Sequence, residues 1–312
     1  MKVNKLLYAC IFIFVLPWCA SSQSHPEQQY YITVFQGLNI FRASYPDVKF
    51  DPVFDYDKGD YKVTVTAQGM PSCDFYWCGG AMIPEEELIN KDKYWSLLYQ
   101  YQEELIDPAD FTQEQKEALS NFSSTDTRRN GAGTPMFFFD YLYSSSSMAS
   151  VERHIKSIYF LGNPTRVHER IVSPLKKVEE RIYRLAETDS KVRDFVDKIK
   201  SNDAYYWRLI DGTNRKSFHS LGIAIDIIPV RITGEIFWSW TRDKNPSGWM
   251  FTPLSRRWLV PSSIVKIFEE EGFIWGGKWA IWDNMHFEYH PELINYNFHK
   301  EIMYRRFKVD EE

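Results

Sequence analysis

The run Ile223-Ala224-Ile225-Asp226-Ile227-Ile228 sets the tightest constraint on this chain. All but one of its residues are apolar, and it reads as a buried β-strand. A carboxylate inside such a strand is costly unless it is paired or bound to a metal. Asp226 therefore needs a partner from elsewhere in the chain. His219 stands seven positions earlier, beyond the polar, basic stretch Thr213-Asn214-Arg215-Lys216, with Gly222 between it and Asp226. A second carboxylate and imidazole occur together in Asp283-Asn284-Met285-His286.

The segments around these two motifs predict how they meet. Pro261 to Glu271 reads as a helix, with proline at its start, Ile264, Ile267 and Phe268 as its apolar stripe, and Gly272 at its end. Phe273-Ile274-Trp275 then reads as a strand and Gly276-Gly277 as a turn, which delivers Lys278 to His286 onto a neighbouring strand or loop. Strand, helix and strand in that order predict an α+β fold. Upstream, Leu175, Val178, Ile182 and Leu185 recur at helical spacing between Ile171 and Ile199, with Thr188-Asp189-Ser190 as a division into two helices.

The first part of the chain has a different character. Tyr31 to Phe35 and Tyr61 to Thr66 predict strands, and Cys73 to Gly80 a loop. Pro84 followed by three glutamates predicts a helix start that could run through Leu98, and Thr112 with Gln115 a capping box ahead of a second helix. Ser123 to Pro135 and Tyr143 to Ser147 read as breaks, which places a boundary near residue 150. Of the seven histidines only His25 precedes that boundary, so residues 23–150 read as an accessory region without a ligand cluster.

At 312 residues the chain can bury a sizeable core. Lys2, Lys5 and the apolar run Leu6 to Leu16 read as an export signal over residues 1–22, and no other stretch is long and apolar enough to span a membrane. Cys19 offers a lipid anchor as the alternative to free export. Removing Lys2 and Lys5 with the leader takes the net charge from −5 to −7. An acidic protein of this kind is a poor partner for nucleic acid. Export also leaves Cys73 and Cys78 in an oxidising compartment, where a disulfide between them is expected. Eight of the eleven tryptophans lie between Trp207 and Trp282; they predict an aromatic core, with a peptide or glycan groove as the second reading.

Two imidazoles and a carboxylate form a familiar donor set for catalytic zinc, which leaves one position open to water. His219, Asp226 and His286 would make that set, and Asp283 would stand close enough to take a proton from the attacking water. On spacing alone the structural reading stays open, because a single histidine more often serves as a hydrogen-bonding core residue.

The motif Ser217-x-His219-x-x-Gly222-x-Ala224-x-Asp226 resembles the signature of the D-alanyl-D-alanine carboxypeptidase family of zinc peptidases. That family includes VanY- and VanX-like enzymes and L-alanyl-D-glutamate endopeptidases. Asp283-x-x-His286-Phe287-Glu288 is similar to its second motif. The resemblance covers roughly residues 150 to 295, within a zinc peptidase domain taken as residues 151–312, and implies a small antiparallel sheet with flanking helices, the Hedgehog/DD-peptidase type. It implies one zinc ion on His219, Asp226 and His286, with Asp283 as general base. Ser217 would hold substrate or order the first ligand, and Arg208 or its rival Arg215 would grip the substrate. Glu288 would orient a ligand, and His290 would sit at a strand end. The implied activity is hydrolysis of amides next to D-amino acids in peptidoglycan stem peptides, in the periplasm or cell envelope, by carboxypeptidase or endopeptidase action. The same fold also serves zinc-containing modules without turnover, and Asp283 argues against that alternative.

Overall fold

A computed structural model describes residues 32–210 and 212–309, with side chains as far as residue 300. The leader, Cys19 and His25 lie outside the described residues. Helix α1 (Val34–Ser44) leads into strands β1 (Val48–Asp55), β2 (Asp60–Ala67) and β3 (Cys73–Tyr76), an antiparallel sheet in that order. After α2 (Gln113–Phe122) comes the hairpin β4 (Ile155–Phe160) and β5 (Asn163–His168), then α3 (Glu169–Ala186) and α4 (Ser190–Val196). Strands β6 (Ile199–Asp203), β7 (Ala224–Pro229), β8 (Phe273–Trp275) and β9 (His286–Tyr289) form a four-stranded antiparallel sheet in the order β6-β7-β9-β8. Helix α5 (Ser262–Glu270) joins β7's side of the chain to β8, and α6 (Pro291–Val309) follows β9. The molecule is thus α+β with small antiparallel sheets, as the sequence implies. Among the described residues no helix is long and apolar enough to cross a membrane.

Local chemistry explains most of these elements. Ile171, Leu175, Val178 and Ile182 are fully buried along one face of α3. The Asp189 carboxylate accepts from the Lys191 and Val192 amides and starts α4, which is why two helices replace one. Thr112 and Gln115 form the expected capping box at α2. Gly272, at φ +89°, ends α5 in a conformation that favours glycine.

Four sequence expectations are corrected in the first part of the chain. Residues 34 and 35 open helix α1 instead of continuing a strand, because Thr33 and Gln36 form a capping box that the β-branched pattern obscures. The helix predicted from Pro84 is a 3-10 helix that ends at Lys93. Cys73 to Tyr76 is a strand, and Cys73 and Cys78 are free thiols instead of a disulfide. Cys73 is paired with Val65 across the sheet, while Cys78 lies beyond the turn at Trp77 with its amide donating to the Asp60 carboxylate at 2.8 Å.

A single apolar cluster takes side chains from both sides of residue 150. Phe41, Phe50, Phe75 and Phe138 meet edge to face or tilted. Phe139, next in sequence, meets Phe218 and His290, both from the part that carries the two motifs, with ring centroids 5.3 Å away in each case. A core shared in this way should melt as a unit. Phe139→Ala is expected to cost about 3–5 kcal/mol and to lower one common unfolding transition, measured by denaturant titration with far-UV circular dichroism and tryptophan fluorescence together. Two separate transitions, of which only one moved, would contradict this.

Candidate metal centre

The register of β7 against β9 builds the centre. Asp226 lies directly opposite His286, and Ala224 opposite Glu288. Side chains on opposed positions of an antiparallel pair face the same side, about 4.5–5.5 Å apart at Cβ. The Asp226 carboxylate is thereby presented to the His286 imidazole, with Oδ1 2.7 Å from Nδ1. Ala224 is small, which leaves room for the longer Glu288 across from it.

His219 arrives from the loop before β7. The Ser217 hydroxyl accepts from the His219 amide and starts the 3-10 turn Phe218–Leu221. Gly222 ends the turn at φ +71°, and a Cβ there would lie 2.8 Å from the His168 backbone nitrogen. The turn carries His219 Nε2 to 3.2 Å from His286 Nδ1 and 3.3 Å from Asp226 Oδ2. Donor atoms held ~2.0–2.1 Å from a tetrahedral zinc ion are about 3.3 Å apart. Two of the three separations match that figure, and the third, measured to the other Asp226 oxygen, is shorter at 2.7 Å.

The outward nitrogens are occupied, as a ligand set requires. His219 Nδ1–H donates to the Ala204 carbonyl at 2.5 Å, and His286 Nε2–H to Glu288 Oε1 at 2.8 Å. Each imidazole is therefore fixed with its other nitrogen facing the centre. Burial alone would raise the Asp226 carboxyl, but His219 and His286 outweigh it and hold the group well below the ordinary carboxylate range. Burial pushes His286 down, yet Asp226 and Glu288 more than reverse this and place it well above an ordinary histidine. The centre thus favours positive charge, and its donors are oxygen and imidazole nitrogen, which suits zinc.

Asp283 approaches from the turn before β9. Its amide donates to the Gly276 carbonyl at 2.9 Å. Gly276 permits that approach, since a Cβ there would lie 2.7 Å from the Asp283 carbonyl oxygen. The Asp283 side chain is only 8 % exposed, and its Oδ1 has no hydrogen-bond partner. Burial pushes its carboxyl up to about 8, against the pull of nearby His286 and Arg208. A cation among the three ligands would draw it back down.

The two candidate substrate arginines separate clearly. Arg208 lies close enough to Asp283 to act on it electrostatically. Its backbone is clamped by Ser220, whose hydroxyl bonds both the Arg208 amide and carbonyl at 2.8 Å. Arg215 points instead into the first part of the chain. It donates to the Arg128 carbonyl and stacks near Trp95, 5.8 Å from the ring centroid. Ser217 serves the turn that carries His219. The tryptophans Trp238, Trp249 and Trp282 form a buried satellite core rather than a groove lining. Trp279 packs edge-on to His286 at 5.5 Å, a ligand support that the sequence does not reveal.

Residues 211–289 match the family model described as D-alanyl-D-alanine carboxypeptidase, so the resemblance read from the two motifs holds over the segment that contains them. Residues 37–99 match a model described only as a domain of unknown function. No curated protein and no solved structure matches the chain.

The geometry predicts that His219→Ala loses the metal. Protein dialysed against trace zinc should retain one equivalent in the wild type and almost none in the variant, measured by atomic emission. Equal occupancy in both would remove His219 from the ligand set.

Proposed function

We propose that this chain is a zinc-dependent peptidase of the cell envelope that hydrolyses amide bonds next to D-amino acids in the stem peptides of peptidoglycan. The family match over the two motifs supports a peptidase of cell-wall peptides. The observation that carries the finer reading is the Asp283 carboxylate, buried beside the His219–Asp226–His286 set with one oxygen unpartnered. A purely structural metal site has no use for such a group.

Zinc at these three ligands would supply Lewis acidity toward the scissile carbonyl and make a water molecule easier to deprotonate. Asp283 takes the proton of the attacking water on its free oxygen and returns it to the departing amine. Its burial excludes competing solvent, and a cation at the three ligands would favour its ionised form, which can accept the proton. Arg208 flanks Asp283 and holds a substrate carboxylate or carbonyl by charge-assisted hydrogen bonds. Which amide of the stem is cut depends on how much peptide fits beyond Arg208, and both carboxypeptidase and endopeptidase action use these same groups.

Incubation with defined tri-, tetra- and pentapeptide muropeptides tests the reading. Asp283→Asn should keep its zinc and lose about 10²- to 10⁴-fold in kcat, the range of general acid–base catalysis. A wild-type protein that holds zinc but cuts none of these amides would leave a binding module instead. For the arginines, Arg208→Ala should lower kcat/KM roughly 10- to 150-fold, the equivalent of a charged hydrogen bond of ~1.5–3 kcal/mol. Arg215→Ala should leave kcat/KM nearly unchanged and lower the unfolding midpoint. The reverse pattern would exchange their roles.

A further inference from the structure

Beyond Glu288 the hydrogen bonds do not stop. Glu288 Oε2 faces His290 Nε2 at 3.3 Å, His290 Nδ1 faces Glu292 Oε1 at 2.6 Å, and the Tyr45 hydroxyl donates to Glu292 Oε2 at 2.6 Å. The directions follow from the groups themselves. Carboxylates only accept, so His286 Nε2–H and both N–H groups of His290 donate, and Tyr45 closes the chain as the last donor. Each of the two glutamates thereby uses both of its oxygens. Every member is buried, and Glu292 is 0 % exposed. Phe139 and Phe218 cover the His290 ring edge to face, at 5.3 and 4.6 Å between centroids, and leave no room for solvent to substitute.

Two buried carboxylates are expensive, and an apolar cluster of the same volume often stabilises a fold as well or better. This chain keeps them in one file that ends on a metal-ligand candidate. We propose that His290, Glu292 and Tyr45 are positioning residues for the metal centre, which hold Glu288 so that the Nδ1 atom of His286 faces the ion. The inference rests on the metal-centre reading above. It also gives the N-terminal domain of unknown function a task, because Tyr45 belongs to it. Tyr45 follows α1 directly, its amide donates to the Phe41 carbonyl at 2.8 Å, and its ring lies between Phe41 and Phe138. The hydroxyl is consequently fixed by the packing of the N-terminal region. Ser44 and Asn295 tie the same junction, with Asn295 Nδ2 2.9 Å from Ser44 Oγ.

Tyr45→Phe removes one hydroxyl and keeps the ring, while Glu292→Gln keeps the size and removes the charge. Zinc dissociation constants, measured by competition with a chromophoric chelator well below the melting temperature, should weaken about tenfold in each variant, the lower end for losing an outer partner of a ligand. The visible absorption of the cobalt-loaded protein should shift in both. The double variant should weaken no more than the stronger single one, since both act through one chain of bonds. Dissociation constants within about twofold of wild type, with unchanged cobalt spectra, would overturn the proposal even if the metal-free melting point falls, because that pattern belongs to a purely structural network. Should Glu292→Gln fail to fold, Tyr45→Phe alone decides between the two. A wild-type protein that binds neither zinc nor cobalt would remove the metal centre itself and this proposal with it; tight wild-type binding with indifferent variants would remove only the proposal.

Discussion

The Asp226 carboxylate, held between the His219 and His286 imidazoles, is the interaction on which the rest of the C-terminal half depends. A charge at this depth would unfold its surroundings if left alone. Its stability comes from the register of β7 against β9, which sets Asp226 opposite His286, and from the turn that swings His219 across. Ser217, Gly222 and Ala224 each serve that one geometry, as cap, as left-handed turn residue and as space for Glu288. The motif is therefore a set of steric and hydrogen-bonding conditions for one buried anion.

The polar interior continues far from the ligands and meets the other half of the molecule. His290 lies where the aromatic core of the N-terminal region touches the sheet, through Phe139 and Phe218. Tyr45 and Asn295 join the same seam from opposite sides. The N-terminal region, which adds no residue to the His219–Asp226–His286 group among the described residues, reaches the polar file that leads to it through Tyr45. Arg215 illustrates the same seam at its other end, where a basic residue beside the first motif serves packing against Trp95 and Arg128.

Aromatic abundance has a plain outcome here. Trp238, Trp249 and Trp282 bury against one another, and cationic groups cover their faces, with Arg128 4.0 Å from the Trp238 centroid and Arg257 4.4 Å from that of Trp282. Rings capped by guanidinium groups are walls, not open subsites. Trp279 packs instead against His286, 5.5 Å between ring centroids.

Much of the site was legible in the chain itself. Asp226 betrayed itself as a carboxylate in an apolar strand, and the spacing of both motifs matched a known pattern that names His219, His286 and Asp283. The helices α3, α4 and α5 followed from apolar periodicity, Asp189 and Gly272. The pair His286-x-Glu288 also held a readable signal, since a period of two puts strand residues on one face, whereas His290 and Glu292 follow the strand and Glu292 lies in α6. Its meaning was hidden, because the partner that completes it, Tyr45, lies 247 positions away from Glu292. The start of α1 and the strand at Cys73 were decided by a capping box and a strand pairing that composition does not display. Local propensity and motif spacing thus determined which residues come together as His219, Asp226 and His286. Only the tertiary structure decided which arginine lies near Asp283, where the outward bonds of His219 and His286 end and which residues Tyr45 meets. Those depend on contacts between segments far apart in sequence, and nothing in the spacing of either segment encodes the other's position.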